Sequence, residues 1–367
     1  MKHLNRVILE SLRKSLGFFF IRILILSSVF SFLGCKKEAQ KPLGLFGKTM
    51  GTTYTIRYFP EGLKGGKGPQ EVKILIDDLL KKINQEMSTY IPDSELSLIN
   101  SSNKFETWHN LSPRLFKVLK EAKGIYQMTD GAFDVTVGPL VNLWGFGPKG
   151  ERKVPSKQAL KKVRKSVGYH HVQMKDSEKI LKSKEGVYID LSAIAKGFAV
   201  DEVSSLLTRL GFKDHMVEIG GEIKTSGDKR GQLWRLAISN PSAIGQSIHK
   251  VIGVKSLSMA TSGNYRNYFT SKGKFFSHTI DPKTGYPVKH RLISVTVFDS
   301  FSCMKADALA TALMVMGHKK GVQFAEKHGL LAYFIAAPEN ETDNGKRGAL
   351  VKKASTQLKL LLSDYFN

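Results

Sequence analysis

Residues 301–317 read FSCMKADALATALMVMG, and the period of this stretch decides how the last third of the chain folds. Apolar residues recur at helical spacing, which predicts a helix over 304–316. Asp307 and Thr311 are four residues apart, so their oxygens leave the helix on one face, one turn from each other. A carboxylate and a hydroxyl so placed suit a hard cation such as magnesium, which takes oxygen ligands and keeps positions open for a phosphate. They equally suit an ordinary buried helix whose Asp and Thr cap or bond back to the backbone.

Outward from this helix, Ile293 to Phe298 alternates as the strand before it. A further helix near Lys319 to His328, capped by Gly329, and a strand at Leu331 to Ile335 close the core. Toward the N-terminus, Trp234 to Ile238 reads as a strand, and Val217 to Ile219 as another that opens onto Gly220 and Gly221. The segment DLSAIAKGFAVDEVSSLLTRLG, residues 190–211, follows a short strand at Val187 to Asp190 with a turn and then a helix ending at Gly211. Ser156 starts a very basic helix through Val167. Residues 129–147, TDGAFDVTVGPLVNLWGFG, hold too many glycines for a helix and too many apolar residues for a solvent loop, so they read as a structured pocket wall.

Ser112 and Pro113 begin a helix with Leu115, Leu119, Ala122 and Tyr126 on one side. Val72, Leu75, Ile76, Leu79, Ile83 and Met87 trace the buried stripe of an amphipathic helix. An exposed Gly- and Lys-rich loop spans Pro60 to Pro69, and Thr52 to Tyr58 alternates as a strand. The fold is expected to start near Thr49. This mixture of strands and helices argues for one α+β domain, residues 49–367, with no linker to split it and no internal repeat.

The 367 residues are 41% hydrophobic and 24% charged, enough for a full core. Residues 1–34 look like an export signal: Lys2, Arg6, Arg13, Lys14 and Arg22 precede the apolar run Ile23 to Leu33. That run is shorter than the roughly 20 apolar residues a membrane span needs. Cys35 after Gly34 resembles a bacterial lipoprotein processing site, with Phe32 where Leu is usual. Cys35 would then carry lipid, and residues 35–48 would tether the domain to a membrane surface. A plain uncleaved anchor and ordinary cleavage are the competing readings.

The formal net charge is +24, and without residues 1–34 the chain remains strongly basic. Such a surface favours anionic lipid or acidic partners. The basic residues are scattered, not clustered with aromatics, and an exported protein rarely meets nucleic acid, so nucleic acid is not the expected partner. Cys35 and Cys303 are the only cysteines. With Cys35 lipidated, no disulfide staples the fold.

Several turns could carry chemistry. Gly131, Gly138, Gly197 and the Gly220-Gly221 pair lie beside acidic or hydroxyl residues, where a backbone can approach a ligand closely. No phosphate-loop or dinucleotide fingerprint is present. Lys196 could pair with a phosphate and Asp190 with a ribose hydroxyl or a metal, or they could be a surface Lys and a helix cap. His278, three residues before Asp281 in SHTIDPKTGYPV (277–288), is a natural general base for an attacking hydroxyl. G-x-S-x-G, H-E-x-x-H and C-x-x-C are all missing, against triad-hydrolase, zinc-protease and thiol-redox chemistry.

Taken in order, MGTTY (50–54), MSTYIPDSELSLIN (87–100), residues 129–147, DLSAIAKGFAVD, VEIGGEI, ATSGNYRNY, residues 277–288 and ADALATALMVMG resemble the FAD:protein FMN transferases, the ApbE-like flavin-trafficking lipoproteins. The resemblance spans nearly all of residues 49–335. It implies a compact α+β domain with a flavin site between two halves and magnesium on the diphosphate. It further implies metal ligands at Asp307, Thr311 and the Ala193 carbonyl, and a pocket for FAD lined at Met50, Tyr90, Ala132, Phe133, Asp134, Asp190, Lys196 and Ile280.

The implied reaction is attack by a Thr or Ser hydroxyl of a partner protein on the FMN-side phosphorus of FAD, releasing AMP. His278 is the expected base, with Asp307 the alternative. Two rivals stay open: a magnesium-dependent FAD pyrophosphatase giving FMN and AMP, and a non-enzymatic FAD-binding lipoprotein. The resemblance suggests subunits of membrane redox pumps or exported flavoproteins as acceptors, and a lipid-anchored periplasmic or extracytoplasmic location.

Overall fold

In a computed structural model, which describes residues 41–60, 68–102, 104–148, 150–241, 247–265, 267–338 and 349–366, every paired strand is antiparallel to its neighbours. In chain order the strands are β1 (Leu43–Thr49), β2 (Thr52–Tyr58), β3 (Trp108–Asn110), β4 (Val172–Lys175), β5 (Lys179–Lys182), β6 (His215–Ile219), β7 (Glu222–Ser226) and β8 (Trp234–Ser239). They continue with β9 (Ile248–Val254), β10 (Ser258–Gly263), β11 (Tyr268–Ser271), β12 (Lys274–Ser277), β13 (Leu292–Asp299), β14 (Leu331–Ala336) and β15 (Val351–Ala354). The helices are α1 (Pro69–Met87), α2 (Glu95–Ser101), α3 (Pro113–Met128), α4 (Gly138–Leu143), α5 (Lys157–Val163), α6 (Ala195–Arg209), α7 (Cys303–Lys327), α8 (Thr356–Leu361) and α9 (Ser363–Phe366).

The main sheet runs β1-β2-β6-β7-β10-β13-β14-β15. Its strands alternate as the pleat requires. On β14, Ala332, Phe334 and Ala336 enter the larger core beneath α1, α3, α6 and α7, while Tyr333 and Ile335 enter a second core on the opposite face. That second core is filled by Trp234, Leu236 and Ile252 of the β8–β9 ribbon and by Leu358 and Phe366 of α8 and α9. A third, smaller cluster gathers Leu140, Trp144, Leu160, Phe276 and Ile280. Residues 42–367 cluster as one unit, the single α+β domain expected.

Helix α7 begins where two capping side chains coincide. Ser302 accepts the Lys305 amide at its N-cap, and the Asp201 carboxylate from α6 accepts the amides of Cys303 and Met304 at 3.0 Å each. A negative charge there meets both the orphan N–H groups and the positive end of the helix dipole. At Gly317 the backbone turns to φ 77° and ψ 177°, which divides α7 into the two helices that the sequence spacing predicts.

Four expectations need correction. Domain structure starts at Leu43, not near Thr49: the end of the presumed tether is β1, paired along its length with β2 through a two-residue turn. Residues 187–190 are extended but join no ladder, because the Asn100 side chain brackets both the N–H and the C=O of Ile189 at 2.8 Å. Residues 129–147 do contain a helix, α4, since Gly138 and Pro139 occupy its first turn, where a missing amide donor costs nothing. The core does not close at β14, which pairs on its far side with β15. The proposed signal segment, Cys35 and the start of the tether lie outside the described residues, as does most of the loop between Pro60 and Pro69.

Candidate functional site

Helices α6 and α7 meet at Gly197. A β-carbon at that position would lie 2.4 Å from the Cys303 carbonyl oxygen and 2.8 Å from the Asp307 β-carbon, so only glycine fits. The closeness has a purpose: the Gly197 amide, in the first turn of α6, donates to Asp307 Oδ2 at 3.0 Å. Asp307 is 4% exposed. Burial pushes its carboxyl upward, while the nearby Lys196 ammonium and the Gly197 amide pull it back.

Lys196 projects from the same turn of α6 and lies 2.7 Å from Glu222 Oε2, at the start of β7. Burial alone would lower the ammonium. The Asp307 and Glu222 carboxylates outweigh that and hold Lys196 up at about 12, so it stays charged. Glu222 is itself pushed up to about 7, by burial first and then by the Asp307 charge, against the opposing Lys196. Two buried acids thus share one base, and the cluster has an excess of negative charge that an added cation would relieve.

Thr311 sits one helical turn beyond Asp307, and its hydroxyl is 3.2 Å from that of Ser262 on β10. Ala193 lies in the turn before α6, partly buried against the main core. Among the described residues, no group of three His, Cys, Asp or Glu side chains could hold a metal ion. A metal here would instead rely on the Asp307 carboxylate with hydroxyl and carbonyl oxygens, a hard donor set that suits magnesium and not zinc. The residues fit the expected ion.

His278 follows β12 directly. Its Nδ1 is 2.9 Å from the Asn267 carbonyl oxygen, which assigns the ring proton to Nδ1 and leaves the Nε2 lone pair as the basic site. Burial lowers the imidazole, the Asn267 carbonyl opposes that, and the positive charges of Lys196 and Arg152 lower it further. Lys196 therefore senses both His278 and Asp307.

The other sequence-derived positions divide into groups. Met50 forms the β1–β2 turn with φ of 50°, a left-handed conformation that a side chain adopts at some cost. Tyr90 is 65% exposed, an aromatic face open to a flat ring, with the Asp190 charge near enough to raise its hydroxyl after burial has done so. Asp190 Oδ1 holds the turn before α6 by accepting the amide and hydroxyl of Ser192. Ala132 lines a cleft of about 450 Å³ with Asp281, Lys283 and Met316.

Three positions present little side chain to a ligand. Phe133 is buried in the main core, and Ile280 bridges to Pro287 within the Trp144 cluster. Asp134 is buried, with Oδ1 accepting the amide and hydroxyl of Thr136; burial raises its carboxyl and those bonds restrain it. A flavin could meet the backbone of Phe133 and Asp134 but not their side chains in this arrangement.

Glu222 and Ser262 escaped sequence reasoning. Both stand inside motifs that were singled out, VEIGGEI and ATSGNYRNY, yet their partners Lys196 and Thr311 come from other elements far along the chain. Only the paired presence of a Lys and an acid at two glycine turns hinted at it.

A model of the ApbE family matches residues 50–335. The chain is 42% identical over 345 residues to the FAD:protein FMN transferase of Haemophilus influenzae, covering 92% of this chain and 96% of that protein. Identity to the FAD:protein FMN transferase of Vibrio cholerae is also 42%, over 343 residues, covering 93% and 98%. Among solved structures, the flavin transferase ApbE from Vibrio cholerae superposes with a TM-score of 0.76 at 40% identity, covering 87% of this chain and 99% of that one. The apo flavinyl transferase ApbE of Pseudomonas stutzeri gives a TM-score of 0.77 at 33% identity, covering 88% and 97%.

Proposed function

The chain belongs to the ApbE family, and on that footing we propose that it is an FAD:protein FMN transferase that moves FMN from FAD to a Thr or Ser hydroxyl of a partner protein and releases AMP. The observation that carries this reading is the buried Asp307–Lys196–Glu222 cluster, set among the Thr311 and Ser262 hydroxyls and within electrostatic reach of His278.

Phosphoryl transfer asks a protein to position groups and to neutralise developing charge more than to do covalent chemistry. Lys196 supplies a fixed positive charge for the diphosphate. Asp307, Thr311 and the Ala193 carbonyl would hold magnesium, which when bound screens the phosphate oxygens and the charge that grows on the leaving AMP. His278, neutral and with Nε2 open, takes the proton from the acceptor hydroxyl as its oxygen attacks the FMN-side phosphorus. Tyr90 offers its ring to the flavin. Met50, Ala132, Phe133, Asp134, Asp190 and Ile280 complete the proposed FAD pocket.

The protein is further proposed to be lipid-anchored through Cys35 on the extracytoplasmic face of a membrane, with residues 1–34 removed. Among the described residues no helix is long and apolar enough to cross a bilayer.

The deciding experiment incubates the purified protein with FAD, magnesium and an acceptor domain, and weighs the acceptor. A gain of one FMN, with AMP in equal amount, is expected. FMN and AMP at the same rate without acceptor would replace the transferase with a pyrophosphatase, and intact FAD in all conditions would leave only a flavin carrier.

A further inference from the structure

His278 is joined to an aromatic hairpin whose outer face leaves two large rings exposed. Asn267, just before β11, accepts both the His278 amide, at 3.0 Å, and its Nδ1. Between them β11 and β12 pair with Tyr268 opposite Ser277 and Thr270 opposite Phe275. The inner face is fixed: Phe269 and Phe276 stack at 5.2 Å and both lie against Trp144. On the outer face Tyr268 and Phe275 touch at 4.7 Å between ring centroids, and remain 44% and 46% exposed. Two large rings held together in water on a rigid support are a feature of binding surfaces more than of free ones.

The surroundings are positive. Lys272 and Lys274 are exposed at the hairpin tip, and Arg152 grips β11 from the side, donating to the Tyr268 carbonyl at 3.0 Å and to Asn267 Oδ1 at 2.8 Å. The whole chain shares that sign, at +24. His278 follows the last residue of the hairpin, which puts this surface beside the proposed base, and acidic flanks of a partner would be drawn to it.

We propose that the outer face of the β11–β12 hairpin is the docking surface for the acceptor protein, which lays an extended, acidic segment across Tyr268 and Phe275 and so brings its Thr or Ser to His278. This rests on the reading that the acceptor is a protein. The surface would account for selection of the acceptor separately from binding of the flavin.

The test measures binding of a labelled peptide, one Thr flanked by Asp residues, to the full chain without FAD. Replacing both rings, Tyr268→Ser with Phe275→Ser, should weaken binding about tenfold, the loss expected when a central aromatic pair is removed. The exposed pair Lys272→Glu with Lys274→Glu should weaken it comparably and abolish its salt dependence. FAD affinity should not change in either. Equal binding by both variants, or equally tight binding of a Lys-flanked peptide, overturns the proposal.

Hydroxyl-radical footprinting supplies a second readout. The peptide should protect Tyr268 and Phe275. Protection by phosphatidylglycerol vesicles alone, or protection lost on dilution without peptide, would give the face to a membrane or to a second copy and overturn the proposal. Peptide that docks as described while an acceptor domain gains no FMN would count against the transfer reaction, not against the docking surface.

Discussion

The amide of Gly197 and the carboxylate of Asp307, 110 residues apart, are joined at 3.0 Å where the first turn of α6 presses on α7. The hydrogen bond exists only because residue 197 has no side chain. Gly197→Ala would drive a β-carbon into the Cys303 carbonyl, and forcing the helices apart should cost about 1–3 kcal/mol. Chemical denaturation measures that loss, and a fully stable, fully active alanine variant would mean the helices are not so tightly set.

Asp307→Asn keeps the shape and the oxygen that faces Gly197. Since burial already raises the Asp307 carboxyl, the neutral amide should leave thermal stability unchanged or higher. Flavin transfer should fall about a hundredfold or more, the cost of losing a group that fixes charge at the reacting phosphate. Chelating divalent ions should bring the unmodified protein to the same level and not slow the variant further. A variant that stays active and sensitive to the chelator would place the metal elsewhere.

His215 makes a cleaner pH prediction, because it stands apart from the site. It is fully buried, with Nδ1 2.9 Å from the Phe212 carbonyl and Nε2 2.7 Å from the Ser204 hydroxyl, and burial holds it down at about 4 from an ordinary 6.5. The unfolded chain binds the proton more readily, so stability is complete above pH 6.5 and is lost as pH falls toward 4. The loss should approach roughly 3 kcal/mol. His215→Gln should flatten that part of the stability curve. An unchanged slope between pH 7 and 4 would assign the acid sensitivity to other groups.

Asn100 tests how the turn before α6 is held. Its two bonds to Ile189 stand in for a missing strand partner, and Ser192 and Ala193 follow within a few residues. Asn100→Ala strands a buried amide and carbonyl and should destabilise by about 2 kcal/mol. KM for FAD should rise more than that of Asn84→Ala, which changes a bond to Thr49 instead. Equal effects would show that the Ile189 bracket does not shape the site.

Cys35→Ser bears on location. The unmodified protein should partition into detergent and carry fatty acid at its first residue, and the serine variant should be recovered in the aqueous phase. Equal partitioning would remove the lipid anchor.

What could be read from the sequence was what short range dictates. Met304 to Met316 and Val72 to Met87 show a helical period, and Ser112-Pro113 and Ser156 mark starts, because a helix is made of contacts four residues apart. Asp307 and Thr311 could be paired for the same reason. Residues 187–190 misled because extended backbone has the same composition whether its partner is a strand or the side chain of Asn100, 89 residues away. β1 reads as a tether because Gly44 and Gly47 disguise its alternation, although Gly47 only makes room for the Tyr54 ring. Glu222 carries no local mark of its role, which exists only because β7 and α6 bring it against Lys196. The family resemblance supplied what local pattern could not, since eight motifs in order encode a fold that no one of them does.

Lys182 gives a last consequence. It is 4% exposed, and among the described residues no acid pairs with its ammonium; instead it donates to the carbonyls of Ile99, Asn100 and Ser102, at 2.6, 3.3 and 3.2 Å, at the end of α2. Three carbonyl oxygens around one positive charge are what a potassium or ammonium ion would ask for. The chain carries its own ion there on a covalent stem. Lys182→Ala would therefore leave inward carbonyl oxygens without their donor and should destabilise the chain by about 2 kcal/mol, read by chemical denaturation.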